Sequence, residues 1–433
     1  LELHWAGFTA IMQGMSTSSS EPGVLYDLAV IGGGIAGAGV ARDAALRGLK
    51  VLLLEKRTFG SGTSSTSSKL IHGGIRYLEL AWKAFLRGRL DRAWKDLRFV
   101  FASLRESRIL ERIAPEWVRP LPLLVPCYAG DSRRPASIRA GAWIYWTLAA
   151  LSGSGVRTPQ WLEGAEAVRT ALPGLKTDGL RGAIRIWDRC TDDVALVRAT
   201  IDSAVRAGGR CLEHAEVVSY RNEGGRFEIT ARRQDGTLQR FYSRKMVDAG
   251  GPWVDKIRLE AGGLKESAGR YLLTVAGSHI ELPRFLPESV ILQARDGRVF
   301  FAIDRGERTR VGTTEWAWED PDSVKVPDSD VEYLLDSLRR YFPETRFDKR
   351  DILTADAGVR PLAFETDSRG GANEVSREHA IRTDPDGVLH LIGVKLTDHR
   401  RAAEDLVNRV APGTRSRTAR LPLGSGRAGS SGH

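Results

Sequence analysis

Hydrophobic positions near the start of the chain come as a continuous run, then a helical period, then a second run. Residues 26–31 (YDLAVI) are apolar and lead directly into a glycine cluster; apolar residues then recur with helical spacing over 35–47, ended by Gly48, and 51–54 are again continuously apolar. Runs without alternation suit strands buried on both faces, so this region predicts a βαβ unit of a parallel sheet. Residues 82–113 predict one long amphipathic helix, with Arg and Lys beside Leu86, Leu90, Trp94, Leu97 and Phe101, and the Pro-rich stretch 115–126 breaks it. A further helix is predicted over 192–207, closed by Gly208 and Gly209. From Val217 the period changes to two, with β-runs at 227–231 and 240–243 about an Asp235-Gly236 turn. A second β-rich stretch spans 271–315, with hairpin turns at Asp296-Gly297 and Arg305-Gly306. Residues 330–341 predict a helix, and 388–394 a strand running into a helix over 397–410. The Pro, Gly, Ser and Arg residues from Ala411 onward predict a disordered tail over 411–433.

A chain of 433 residues suits two or three domains. The net charge of +10 admits nucleic acid, an anionic membrane surface or small phosphorylated ligands as partners. The cations are dispersed rather than gathered in a tail, which argues against nucleic acid. Cys127, Cys190 and Cys211 are far apart and form no C-x-x-C, so neither a disulfide framework nor a zinc site is expected, and no other metal site is read. The most apolar run, 142–151 (AWIYWTLAAL), is too short to span a bilayer. Residues 1–25 read as a disordered leader and not a signal peptide, with Met15 a candidate start. A cytoplasmic location is expected, with the basic helix either resting on the inner face of the membrane or presenting a solvated face.

Gly32-x-Gly34-x-x-Gly37 lies between the first strand and its helix. In that position the first Gly permits a tight turn, the second lets backbone approach a pyrophosphate, and the third packs helix on strand. Glu55 ends the second strand, 18 residues after Gly37, where an acid receives ribose hydroxyls. One such fingerprint close to the start, followed by the Ser/Thr-rich 63–68, favours FAD over NAD.

The segment SSTSSKLIHGGIRYLE (64–79) resembles the loop after the second strand in FAD-dependent glycerol-3-phosphate dehydrogenases, within the D-amino-acid-oxidase-like flavoprotein superfamily. Similar segments follow in the same order: DDVALVRATIDSAVRAGG (192–209), DAGGPWVD (248–255), GSHIELPR (277–284), VGTTE (311–315), AGVRPL (357–362), SREHAI (376–381) and GVKLTDHRRAAEDLV (393–407). The resemblance covers 26–410. It implies an α/β fold in which a discontinuous, FAD-linked Rossmann-like domain (26–101, 182–263 and 351–410) is interleaved with a mixed antiparallel β-sheet substrate or cap domain (102–181 and 264–350).

The resemblance also implies a reaction: oxidation of sn-glycerol 3-phosphate to dihydroxyacetone phosphate, with hydride passing from C2 to flavin N5 and electrons leaving to a quinone or other acceptor. It places Arg76, Tyr77, Arg360, Arg377 and Lys395 at the substrate. Gly32, Gly34, Gly37, Glu55, Ser67, Ser68, His72, Gly250, Gly393, Lys395, Leu396 and Thr397 fall at the cofactor. His279 is the candidate base, acting with Arg360 and Lys395. Converging guanidiniums are what a small phosphate dianion needs, because they bind oxyanions bidentately. Three departures stand out. GVKLTDHR has Val394 for a second Gly and Asp398-His399 for Thr and an aromatic residue. Asp248 stands where Asn is usual. The tail RTARLPLGSGRAGSSGH (417–433) resembles the approach to a helical C-terminal domain that many members carry. Asp398 is expected to favour a helix N-terminus or to repel negative charge at the flavin pyrimidine end. These departures keep open a related flavoenzyme acting on another hydroxy acid or an amine, and a non-catalytic flavoprotein.

Overall fold

The computed structural model describes residues 23–131, 134–265, 269–364 and 378–424; the side chains of Ile75 and Arg76 lie outside that description. The predicted βαβ unit is present: β1 (Leu25–Ile31) turns through Gly32 into α1 (Ile35–Leu46), and β2 (Val51–Leu54) runs parallel to β1. β3 (Leu70–Ile71) then leads to α2 (Ile75–Leu86) and α3 (Leu90–Ile113), which pack on each other. Here the expected single helix over 82–113 is corrected. Gly88, at φ +71°, ends α2 and lets the chain restart as a second helix.

The Pro-rich stretch does more than break a helix: it forms β4 (Val118–Tyr128). Pro120, Pro122 and Pro126 fall two or four residues apart, so their missing N–H groups share one edge, where the neighbouring strand pairs only at Leu123 and Leu124. The chain continues through α4 (Pro135–Leu151), β5 (Gln160–Glu163), α5 (Gly164–Ala171) and β6 (Leu180–Thr191) to α6 (Asp193–Arg206). Asp192 caps α6 by accepting from Ala195 N at 3.1 Å. Next come β7 (Arg210–Leu212), β8 (Ala215–Glu223), β9 (Arg226–Arg233), β10 (Leu238–Asp248) and α7 (Val254–Glu260). The second β-rich stretch supplies β11 (Leu272–Pro283), β12 (Ser289–Gln293), β13 (Val299–Asp304), β14 (Arg308–Gly312) and β15 (Trp316–Ala317). The last elements are α8 (Asp328–Tyr341), β16 (Thr354–Ala363), β17 (Ala380–Thr383), β18 (Leu389–Ile392) and α9 (His399–Val410).

Two sheets organise these elements. The first has a parallel centre in the order β18-β10-β1-β2-β7, with β17, β9 and β8 added antiparallel. α1 packs between α6 and α9 over it, and Val30, Val40, Leu53, Leu196 and Leu406 share one buried core. The second sheet runs β15-β11-β14-β13-β12-β4-β6-β3, with β16 on β11 and β5 on β6, and is mostly antiparallel. α8 covers one of its faces through Leu334, Leu335 and Leu338.

Several expected boundaries shift. The blocks starting at 182 and 351 each open with a strand of the second sheet, β6 and β16, whose partners lie far away in the chain. The expected cut at Phe101 falls inside α3. Residues 411–424 of the expected tail are structured, because they cover a buried guanidinium: Arg42 donates to Thr418 O at 3.2 Å and Leu421 O at 2.6 Å, and Leu423 is buried. At the other end β1 already begins at Leu25.

Candidate active site

A cavity of about 1930 Å³ runs from the Gly32 turn and Glu55 to Arg360 and Lys395. At its first end Gly32 has φ +98°, and a Cβ there would lie 2.7 Å from Ala249 O. A Cβ on Gly37 would lie 1.9 Å from Gly32 O, so the helix approaches the turn more closely than any side chain permits. Gly34, the residue before α1, bares its backbone to the cavity. Glu55 accepts from Gly33 N at 2.6 Å and from Arg57 N at 2.8 Å. Each carboxylate oxygen therefore keeps lone-pair capacity for a ligand hydroxyl. Gly250 lines the wall beside this turn, and Asp248 holds it by accepting from Gly250 N at 2.8 Å and from His390 at 3.1 Å.

The second end is built from both sheets. Arg360, on β16, donates to Thr313 Oγ1 at 2.8 Å and lies against Gly277, where a Cβ would come within 2.9 Å of its Nη2. Gly393, at φ +71°, turns the chain so that Lys395 and Leu396 face the cavity. Lys395 Nζ donates to His72 O at 2.9 Å and stands 5.6 Å from the Phe99 ring. Thr397 is buried; its hydroxyl accepts from His72 N at 3.1 Å and donates to His72 O at 3.2 Å. Tyr77 lines the same end and packs edge-on against Phe99.

His279, on β11, is 2% exposed and shares a 3.0 Å hydrogen bond between Nε2 and Ser68 Oγ. Burial first, then Arg310, Arg360 and Lys69, hold its pKa well below the usual histidine value, so the ring is neutral. Ser67 and Ser68 line the cavity, but their hydroxyls are engaged, Ser67 with Asp193 at 2.8 Å and Ser68 with His279. The backbone of Arg76 lies in the first turn of α2. Arg377 lies outside the described residues.

The profile of the FAD dependent oxidoreductase family matches residues 27–395. The chain belongs to that family. It is 32% identical over 421 residues to the aerobic glycerol-3-phosphate dehydrogenase of Bacillus subtilis, covering 94% of this chain and 72% of the relative. It is 34% identical to the D-erythritol 1-phosphate dehydrogenase of Brucella abortus, covering 89% and 73%. Its structure is similar to that of the glycerol-3-phosphate dehydrogenase from Bacillus halodurans complexed with FAD, with a TM-score of 0.70 and 28% identity over 92% of this chain and 67% of that one. FAD is the cofactor, and the glycine turn fits it: bare backbone at Gly32 and Gly34, a helix N-terminus behind it, and Glu55 in register.

Several residues of this site carry no sequence signal. Arg310 is buried, donates to both carboxylate oxygens of Asp356 at 2.7 Å, and donates to Ser67 O at 3.0 Å, tying the serine loop to the second sheet. Tyr145 stands in the apolar run 142–151 and reads only as core, yet its hydroxyl bonds to Asp188 beneath the cavity. Such pairs form across elements, so nothing in local spacing announces them.

Proposed function

We propose that the chain oxidises sn-glycerol 3-phosphate to dihydroxyacetone phosphate. The observation supporting this reading is the placement of Arg360 and Lys395, cations from different elements, beside neutral His279 at one end of a cavity whose other end is a pyrophosphate turn. Bound FAD supplies the two-electron acceptor. Arg360 offers the phosphate a planar donor fork, and Lys395 adds a point charge held in place by the His72 carbonyl. Tyr77 completes the substrate end in this reading. His279 is the candidate acceptor of the C2 hydroxyl proton in this reading, a weak base because burial among cations holds its pKa low.

The electrons leave, in this reading, to a quinone or a similar acceptor. The cavity lining also includes apolar Leu123, Val125, Ile138 and Phe301, together with Trp82, Phe85 and Leu86 of the α2–α3 hairpin. There Trp82, Phe85, Leu86, Leu90 and Trp94 are exposed among the exposed Lys83, Arg87 and Arg89. An apolar face rimmed by cations suits peripheral contact with an anionic bilayer, on the cytoplasmic side. Among the described residues no helix is long and apolar enough to cross a membrane.

Anaerobic mixing of the FAD-loaded protein with candidate substrates tests the reaction. Glycerol 3-phosphate is expected to bleach the flavin absorbance, glycerol to leave it, and a four-carbon polyol phosphate to act more slowly. Bleaching by a hydroxy acid or amine alone would turn the reading to a related flavoenzyme, and no bleaching by any of them to a non-catalytic flavoprotein.

A further inference from the structure

The carbonyl on which Lys395 docks is held from behind. The Gly73 N–H donates to the Tyr145 hydroxyl at 2.9 Å, and that hydroxyl donates to Asp188 Oδ2 at 2.7 Å. Gly73 permits this approach, since a Cβ there would come within 2.7 Å of the Tyr145 hydroxyl and 2.5 Å of Leu104. The Gly73 N–H and the His72 carbonyl belong to one planar peptide unit and point in opposite directions. One side of that unit is therefore fixed by Tyr145 on α4 and Asp188 on β6. The other side receives Lys395 Nζ at 2.9 Å and Thr397 Oγ1 at 3.2 Å.

Asp188 is well suited to drive this chain. Its side chain is buried, and its Oδ2 takes the Tyr145 hydroxyl while Arg189 and Lys395 act on it through charge. The adjacent Arg189 is committed elsewhere, to Glu111, Ser107 and the Ser154 carbonyl. A hydroxyl that donates to a carboxylate becomes a better acceptor. An amide whose N–H is so bonded presents a more polar carbonyl, because hydrogen bonds in series polarise one another.

We propose that Tyr145 and Asp188 are positioning residues for the oxidation, orienting and polarising the His72–Gly73 peptide that holds the Lys395 ammonium at the substrate end of the cavity. The inference rests on the reading of Lys395 as a substrate-end residue.

The test is a double-mutant cycle in the FAD-loaded protein, with Tyr145→Phe, Lys395→Ala and the pair together. The rate of anaerobic flavin reduction by glycerol 3-phosphate is read alongside the midpoint potential of the substrate-free flavin. Tyr145→Phe is expected to slow reduction roughly 10- to 100-fold, the loss associated with a charge-assisted hydrogen bond. In the Lys395→Ala background the same change should add less than about twofold, because the group being positioned is gone. Asp188→Leu should behave like Tyr145→Phe, whereas Asp188→Asn, which still accepts from the hydroxyl, should recover most of the rate. Equal slowing by Tyr145→Phe in both backgrounds, or no slowing at all, overturns the proposal and leaves Tyr145 as a stitch between α4 and its neighbours. If Tyr145→Phe does not fold, the cycle is run with Asp188→Leu, and additivity with Lys395→Ala again overturns it. If glycerol 3-phosphate fails to reduce the wild-type flavin, the substrate reading falls separately. The coupling is then judged from the potentials, where additive shifts reject it and non-additive shifts support it.

Discussion

The hydroxyl of Ser103, on α3, lies 3.1 and 2.9 Å from the two carboxylate oxygens of Asp398 and donates to them. Asp398 is the residue before α9, yet its side chain caps no helix N–H; it is buried against α3 instead. It therefore makes no capping bond, and its carboxylate is engaged with α3. Beside it, Arg400 binds both carboxylate oxygens of Glu106 at 2.7 and 2.6 Å, a second tie between the same two helices.

Ser103→Ala is accordingly expected to lower the unfolding free energy by about 1.5–3 kcal/mol, the worth of a hydrogen bond to a charged group, and to leave the flavin midpoint potential unchanged. Asp398→Thr should also destabilise. Denaturant unfolding and a redox titration check both. A higher potential in Asp398→Thr with unaltered stability would restore the electrostatic role for this acid.

The glycine turn gives a sharper pair of expectations. Gly37→Ala places a Cβ 1.9 Å from Gly32 O, a backbone atom that cannot retreat, so this variant should fail to fold or should hold no flavin. At Gly34 a Cβ would meet only Ser64 Oγ at 3.2 Å. Gly34→Ala should therefore fold with near-normal thermal stability and lose affinity for FAD, since the added methyl occupies the approach to the pyrophosphate. Equal FAD affinity in Gly34→Ala and wild type, measured by flavin fluorescence, would remove the phosphate from that turn.

The contrast between these residues also explains what the sequence made legible. The fingerprint is local: Gly32, Gly34 and Gly37 do their work within one turn, and Glu55 follows on the next strand, so spacing alone is informative. Lys395 and Arg360 were found because short motifs around them resemble a family. The Tyr145–Asp188 bond spans 43 residues and the Arg310–Asp356 pair 46, and neither partner stands in a pattern that points to the other. For the same reason the pairing of β6 and β16 into the second sheet stayed hidden, since a strand's partner lies far away in the chain. The tail read as disordered because composition cannot see that Arg42 awaits its carbonyls.

Asp188 carries a pH signature. Burial pushes its carboxyl from 3.8 up to about 6, against the opposing pull of the Tyr145 hydroxyl, Arg189 and Lys395. A carboxyl whose pKa is raised on folding contributes stability that is fully present below 3.8 and is lost as the pH rises through about 6. At about 1.4 kcal/mol per pKa unit, the loss approaches about 3 kcal/mol. Asp188→Asn abolishes the ionisation while keeping an acceptor for Tyr145. Its unfolding free energy relative to wild type should therefore improve by up to about 3 kcal/mol between about pH 4 and pH 8. Parallel stability curves for the two proteins would show that Asp188 does not titrate in this window.

Arg360 bears on the substrate itself. Its guanidinium is half-buried, anchored on Thr313 Oγ1 at 2.8 Å, and aimed along the cavity shared with Lys395 and His279. If a phosphate dianion sits there, removing its partner costs roughly 2–3 kcal/mol, the lower part of the range for desolvated charge pairs because Arg360 keeps some contact with solvent. That corresponds to a fall of roughly 30- to 150-fold in kcat/KM for Arg360→Ala acting on glycerol 3-phosphate. Arg360→Lys should recover part of the loss, restoring the charge but not the planar fork. Unphosphorylated glycerol is the discriminating substrate. It should react poorly with the wild type, and Arg360→Ala should lower its rate far less, because it has no dianion to lose. Equal losses for the two substrates would mean that the residue acts through the flavin or the fold, and the phosphate would have to be sought elsewhere in the cavity.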